Sequence, residues 1–226
     1  MPLEKTAPAA AGAARNLAER YAGKTVLAIG AHPDDVEIAV GGTLARLRRA
    51  GTRVVMAVVS VPGEHQMRRR EAERAAGILG CEPRFLMDEG GKRIEDLKSY
   101  ELVALLDRLV RELAPAALFA HGPAELHRDH VIVHEAALAT QRLAYFDFFT
   151  YQPNFCRPVP VAFHPRAYVD ITDTIETKMR AIDAHQSQFK CRGIETGIYR
   201  EMARLNGRMV GVEYAEGLEI QRLLLL

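Results

Sequence analysis

The 226-residue sequence has no tryptophan, only three cysteines and almost no excess of charge of either sign. The cysteines are widely spaced and form no CxxC pair, which excludes a disulfide framework and a thiolate zinc site and is typical of the reduced cytoplasm. A net charge of +1 excludes the broad basic surface with which nucleic-acid binders neutralise phosphates. No apolar run approaches the ~20 residues that span a bilayer, and the N-terminal segment has no signal-peptide core. We therefore expect a cytoplasmic protein that binds neither nucleic acid nor membrane.

Short β-branched runs alternate with amphipathic segments along the chain. This pattern predicts an α/β fold with a Rossmann-like, mostly parallel sheet, helices on both faces and a smaller, irregular C-terminal part. Residues 1–15 are expected to be a loose lead-in and residues 16–226 a single domain. The predicted strands are residues 25–29, 54–60, 84–87, 116–120 and 167–171. The predicted helices are residues 42–50, 66–79, 99–113 and 174–189.

The segment GAHPDDVE, residues 30–37, directly follows the first predicted strand. Ligands of parallel α/β sheets bind beyond the carboxyl ends of the strands, so one imidazole and three carboxylates are expected at that edge. The segment matches neither a dinucleotide-binding fingerprint nor a P-loop, and its negative charge suits a cation. An alternative is that Asp34 and Asp35 only cap a helix, and Glu37 is as easily explained by hydrogen bonding within the loop.

Histidines also follow the fourth predicted strand. His127, His130 and His134 have the spacing of one helix face. Of these, His134 is interpreted as a structural residue, and so is His121 at the end of the strand. Because two strand-end loops can converge, the sequence predicts two imidazoles and one carboxylate around an open coordination position. This is the ligand set of a catalytic zinc, although Fe²⁺ or another divalent metal uses similar ligands.

The segments HPDDVE (residues 32–37), GGTL (41–44) and HRDH (127–130) together resemble the PIG-L, or LmbE-like, deacetylases. These are zinc-dependent enzymes that remove acetyl groups, typically from N-acetylglucosamine units. Similarity extends to residues 68–80, 168–188 and 211–218. The resemblance implies that the metal ligands are His32, Asp35 and His130.

The resemblance also implies roles for the remaining polar residues of these motifs. Asp34 would be the general base, and His127 would stabilise the charged intermediate. Asp129 would orient His127 or a ligand, and Arg68 would contact the sugar. His185 would approach the mouth of the site, with a surface histidine as the alternative.

These expectations combine into a zinc-dependent N-deacetylase acting on an N-acyl aminosugar. A metal ion lowers the pKa of coordinated water from ~15.7 toward ~7, and Asp34 would take up the proton. The aromatic and proline-rich residues 150–165 are the expected wall of the sugar pocket, and residues 223–226 are a candidate subunit contact in a homo-oligomer. The alternatives are a related amidase or esterase acting on a non-sugar molecule, and a metal- or sugar-binding module without catalysis.

Overall fold

Seven strands form one sheet in the computed structural model, which describes residues 16–87, 92–123, 125–153 and 163–225. Their order across the sheet is β3-β2-β1-β4-β5-β7-β6. Strands β1 to β5 pair in parallel, whereas β7 runs antiparallel to both β5 and β6. The strands are β1 (Thr25–Gly30), β2 (Arg53–Val58), β3 (Glu82–Phe85), β4 (Ala117–His121), β5 (Asp147–Tyr151), β6 (Ala167–Asp170) and β7 (Ala215–Arg222).

Helices cover both faces of this sheet, as the sequence predicts. Alternate residues of β1 point to opposite sides, with Val26 and Ala28 in one core and Leu27 and Ile29 in the other. The first core is completed by α2, α3, α6 and α7, and the second by α4 and α5. No helix of the described residues is long and apolar enough to cross a membrane. The helices are α1 (Leu17–Tyr21), α2 (Asp35–Arg49), α3 (His65–Leu79), α4 (Ser99–Leu113), α5 (Arg128–Ala139), α6 (Ile175–Asp183) and α7 (Gly197–Val210).

The predicted elements are present, but several boundaries differ. Helix α2 begins at Asp35, seven residues before the predicted start, and α6 ends at Asp183 because a tight turn follows it. The part expected to be irregular contributes α7 and two strands to the same sheet. The lead-in 1–15 and residues 154–162 of the proline-rich segment lie outside the described residues.

Helix α2 is held against the last part of the chain by a buried ion pair between Lys178 of α6 and Glu216 of β7. The Lys178 ammonium donates to the carbonyl of Ile38, and the Glu216 carboxylate accepts the amides of Gly42 and Thr43. An uninterrupted helix pairs the Ile38 carbonyl with the Gly42 amide. The two charged side chains therefore share in the backbone hydrogen bonding of α2, one turn beyond Asp35.

Candidate metal centre

The loops that follow β1 and β4 meet at one edge of the sheet. β1 and β4 are neighbours that run parallel, and β2 lies on the other side of β1. The strand order thus reverses here: from β1 the chain moves to β2 on one side, and it later returns to β4 on the other side of β1. Open α/β sheets bind ligands at such a point. One loop brings His32 and Asp34 to this edge, and the other brings His127.

The turn after β1 is tight. A Cβ atom on Gly30 would lie 3.0 Å from Val36 Cγ2 and 3.2 Å from Asp35 Cβ, so a larger residue does not fit without movement. Asp34 has a left-handed backbone with φ of 95°, and α2 begins at the next residue. Within the described part of the chain, the Asp34 side chain makes no capping hydrogen bond. Asp34 thus occupies the N-cap position of α2, but capping does not account for its carboxylate.

Three imidazoles surround the buried carboxylate of Asp35. Its Oδ1 lies 3.2 Å from Nε2 of His130, and its Oδ2 lies 3.3 Å from Nε2 of His121 and 3.8 Å from Nδ1 of His32. The ring centres of His32 and His130 are 5.8 Å apart. The structure thus brings together the three residues expected to bind metal. His121, the last residue of β4, also lies against Asp35, and its Nε2 accepts the Ala31 amide over 3.0 Å, which fits the structural role expected for it.

His127 lies beside this cluster, at the N-terminal end of α5. Its ring centre is 4.9 Å from that of His32 and 4.8 Å from that of His130. Its Nδ1 accepts a hydrogen bond of 3.2 Å from the Asp129 amide, so the neutral ring carries its proton on Nε2. The Asp129 carboxylate lies 2.9 Å from Nε2 of His32. The sequence predicts that Asp129 orients either His127 or a metal ligand. Its carboxylate contacts the ring of His32, which is one of the expected ligands.

The two neighbouring aspartates of the first loop have different electrostatic surroundings. Burial works to raise the pKa of Asp35, but His130 and His121 outweigh it and hold that pKa well below its ordinary value. Burial, together with the charge of Asp35, raises the pKa of Asp34 to about 7. Burial lowers the pKa of His127, so its ring is neutral at pH 7 rather than protonated. Asp35 therefore stays ionised, while Asp34 can gain or lose a proton near neutrality.

The donor atoms of the cluster fit a divalent metal ion. In each of two overlapping sets the possible ligand atoms lie within 4.8 Å of one another, one set being His32, His127 and His130 and the other Asp35, His121 and His130. Across the described residues, Asp129 Oδ1 is buried and lacks a hydrogen-bond partner, whereas His130 Nδ1 lies 3.6 Å from Oε2 of Glu125. Imidazole nitrogen and carboxylate oxygen are the ligands that zinc and iron accept.

The other candidate residues lie around this cluster. Arg68 of α3 is 9% exposed and donates to the Pro62 carbonyl over 2.8 Å. His134 contacts the His121 carbonyl over 2.8 Å, so its structural interpretation fits. His185 is fully buried and pairs with Glu37 of α2. A surface position for His185 is therefore wrong.

A separate cavity of about 690 Å³ lies beside α7, β6 and β7. Its lining is mostly apolar and includes Phe163, Tyr199 and Met202, with the Lys178–Glu216 pair at its wall. None of the described histidines and aspartates of the cluster lines it. The chemistry of the donor atoms, and not the size of this cavity, therefore locates the candidate site.

Residues 27–141 match the family model PIG-L, described as GlcNAc-PI de-N-acetylase. The chain belongs to the PIG-L family. Among its PIG-L relatives, diacetylchitobiose deacetylase of Thermococcus kodakarensis is 30% identical over 227 residues, covering 86% of this chain and 82% of the relative. The family predicted from the three sequence segments is confirmed.

Solved structures of similar proteins share the fold. N,N'-diacetylchitobiose deacetylase from Pyrococcus horikoshii, in complex with an inhibitor, has a TM-score of 0.73 at 26% identity, covering 88% of this chain and 84% of that one. A conserved protein of Thermus thermophilus has a TM-score of 0.74 at 27% identity, with 90% and 97% covered. These similar structures confirm the α/β fold class.

Proposed function

We propose that this protein is a metal-dependent hydrolase that removes the acetyl group, or another acyl group, from an N-acylated aminosugar. The observation that carries the proposal is the meeting of His32, Asp35 and His130 at one sheet edge, with the proton-accepting Asp34 next to them. Membership of the PIG-L family and the named activity of its diacetylchitobiose-deacetylating relatives support the reaction and the substrate class.

We infer that His32, Asp35 and His130 would hold the ion, and that the ion is zinc. Two nitrogens and one carboxylate oxygen leave a coordination position open for water, which suits a catalytic rather than a structural site. When bound, the ion would make water a stronger acid and polarise the carbonyl of the amide. Asp129 would fix the orientation of the His32 ring through their 2.9 Å contact.

Asp34 would act as the general base and then as the general acid. Its carboxylate would accept a proton from the attacking water and return it to the nitrogen of the departing amine. A pKa of about 7 suits both steps, because the base must be deprotonated at first and must release the proton later.

His127 would stabilise negative charge on the substrate carbonyl oxygen. Because its Nδ1 accepts the Asp129 amide, its Nε2–H is free to donate a hydrogen bond. The neutral ring does this without becoming protonated. Loss of one such donor typically lowers the rate by ~10² to 10³. Arg68, which is buried in α3, would contact the sugar.

Metal removal tests the proposal directly. We expect the purified protein to contain about one zinc per chain and to release free amine from N-acetylglucosamine and diacetylchitobiose. Dialysis against a chelator should abolish amine release, and added Zn²⁺ should restore it. The control is the same treatment of Asp35→Asn, in which added zinc should restore little activity because a ligand is missing.

The substrate panel separates the proposal from its alternatives. Release of amine from non-sugar amides, or of acid from esters, with no activity on acetylated sugars would favour a related amidase or esterase. Activity on sugars that survives complete metal removal would contradict the proposal. Binding of an acetylated sugar without turnover would indicate a module that has no catalytic function.

We also infer a cytoplasmic location and a small-molecule partner. Cys81 is buried and Cys191 is exposed, and both are free thiols, which suits a reducing compartment. The near-neutral charge gives no basis for a nucleic-acid partner.

A further inference from the structure

The turn that carries Asp34 needs stabilising contacts on both of its sides. Its φ of 95° lies in the left-handed region that residues other than glycine avoid. On one side, Asp35 secures the turn by accepting the His32 amide over 2.8 Å and by contacting His130. The contact that secures the other side comes from a distant part of the chain.

That contact is a buried pair between Glu37 and His185. Nε2 of His185 lies 2.9 Å from Oε1 of Glu37, and the two residues are 0% and 3% exposed. Glu37 lies in the first turn of α2, three residues after Asp34. The pair therefore fastens the start of α2 to the segment that follows α6.

His185 is itself fixed by a tight turn. The amides of Gln188 and Phe189 donate to the His185 carbonyl. Ser187 donates to Glu71 of α3 twice, from its amide over 2.8 Å and from its hydroxyl over 2.6 Å. Because α3 packs against α6 and also carries Arg68, the imidazole is anchored to a rigid part of the fold.

Charged groups of both signs surround Asp34. Its neighbours are the carboxylates of Asp35 and Glu37 and the cationic groups of His185 and Arg68. His185 in turn faces Glu37, Asp34 and Glu71. Removal of His185 would leave Glu37 buried without its cationic partner, close to two further carboxylates.

We propose that His185 is a positioning residue for the reaction: through Glu37 it fixes the turn that carries Asp34, and so aims the base at the attacking water and the departing amine. This inference rests on the proposed function, in which Asp34 is the base. His185 does not touch the reacting atoms. Its effect depends on Glu37, and the two residues should behave as one unit.

A double-mutant cycle tests this coupling. His185→Phe and Glu37→Gln should each lower kcat on the order of 10- to 100-fold, because small misplacement of a catalytic group has effects of this size. The double variant should lose no more than the worse single variant. KM and zinc content should stay within about twofold of the wild type, since neither residue is placed on the substrate or the ion. His185→Gln, which retains an N–H donor, should recover part of the lost kcat.

The matched control is Asp147→Asn, which removes a buried charge at the opposite edge of the sheet. It should lower stability and leave kcat unchanged. Additive losses in the double variant, or a kcat of His185→Phe that equals that of Asp147→Asn, would show that His185 only stabilises the fold.

Hydrogen exchange of the metal-free protein gives a second measurement that needs no activity. His185→Phe should speed amide exchange at residues 34–38 well beyond any change elsewhere, whereas Asp147→Asn should not. Uniform acceleration, or none, would overturn the positioning role. If the wild type released no amine from any acetylated sugar, the proposed function would fail, and the local exchange result would still decide whether His185 fixes the turn.

Discussion

Asp34 and Asp35 are adjacent in the sequence but face different surroundings in the structure. Asp35 lies among three imidazoles, whereas Asp34 is desolvated beside a like charge. Carboxylates whose surroundings separate their pKa values can serve different chemical roles. We therefore assign cation binding to Asp35 and proton transfer to Asp34.

Exchanging each aspartate for asparagine should separate these roles. Asp34→Asn should keep its zinc and lose ~10² to 10⁴ in kcat, because general base catalysis contributes about that much. Asp35→Asn should lose zinc affinity as well as activity. Metal analysis and amine release on the same samples give both results, and an Asp34→Asn enzyme that remains fully active would rule out the base.

The sequence predicts the core of this site well and its surroundings poorly. Residue type and strand-end position predict two imidazoles and one carboxylate at this edge, and the resemblance to the PIG-L family assigns them to His32, Asp35 and His130. The contacts of His121 and His185 were not predictable because their partners are distant in sequence: the Nε2 of His121 meets Asp35 across the β1–β4 boundary, and His185 meets Glu37 across 148 positions. Such contacts depend on how helices pack, which local patterns do not encode.

At the scale of elements, the close approach of α2 to the segment after β6 depends on Gly42. A Cβ atom there would lie 2.9 Å from the Cβ of Ile171, which is near the backbone and cannot swing away. Gly41 differs, because its nearest neighbour would be Lys178 Cγ at an ordinary 3.5 Å. Close packing therefore requires a glycine at position 42, whereas it does not require one at position 41.

Alanine substitutions should show this difference. Gly42→Ala should lower the free energy of unfolding by about 1–3 kcal/mol through overpacking. Gly41→Ala should raise it by about 0.5–1 kcal/mol, because alanine favours the helix. Urea unfolding of both variants measures the contrast, and equal effects would mean that α2 can shift away from Ile171.

The parallel strands β1, β2 and β4 were predictable because each is a buried run of apolar residues followed by a helix. The predicted start of α2 was too late because acidic residues interrupt the apolar pattern of its first turn, where Val36 and Ile38 are nevertheless buried in the core. Strands β5 and β7 were missed. β7 has polar residues where its outer part is exposed.

At the scale of the whole molecule, Asp147 links distant parts of the chain at the sheet edge opposite the site. Its carboxylate accepts hydrogen bonds from Arg20 Nε (2.7 Å), the Tyr21 hydroxyl (2.6 Å) and the Leu224 amide (2.7 Å). Burial works to raise the pKa of Asp147, but these donors outweigh it and hold that pKa below its ordinary 3.8. The ionised form is therefore bound more favourably in the folded protein.

Asp147→Asn should reduce stability at pH 7 by about 1.5–3 kcal/mol, the range for a hydrogen bond to a charged group. Since the folded pKa is the lower one, the stabilisation is complete above pH 3.8 and disappears as the pH falls through the folded pKa. Unfolding curves of the wild type and the variant should thus converge in acid. A difference that stays constant down to strongly acidic pH would contradict this linkage.

The antiparallel strand β7 lies between β5 and β6, although it is the last strand to be synthesised. A nascent chain can pair β1 to β5 and bring both histidine-bearing loops together before residues 215–222 exist. Until those residues arrive, β6 has no strand beside it and the ammonium of Lys178 has no counter-ion. Folding of this protein on the ribosome would thus finish with the insertion of β7 between β5 and β6. Ribosomes that stall before residue 215 should display an incomplete sheet that chaperones or proteases recognise.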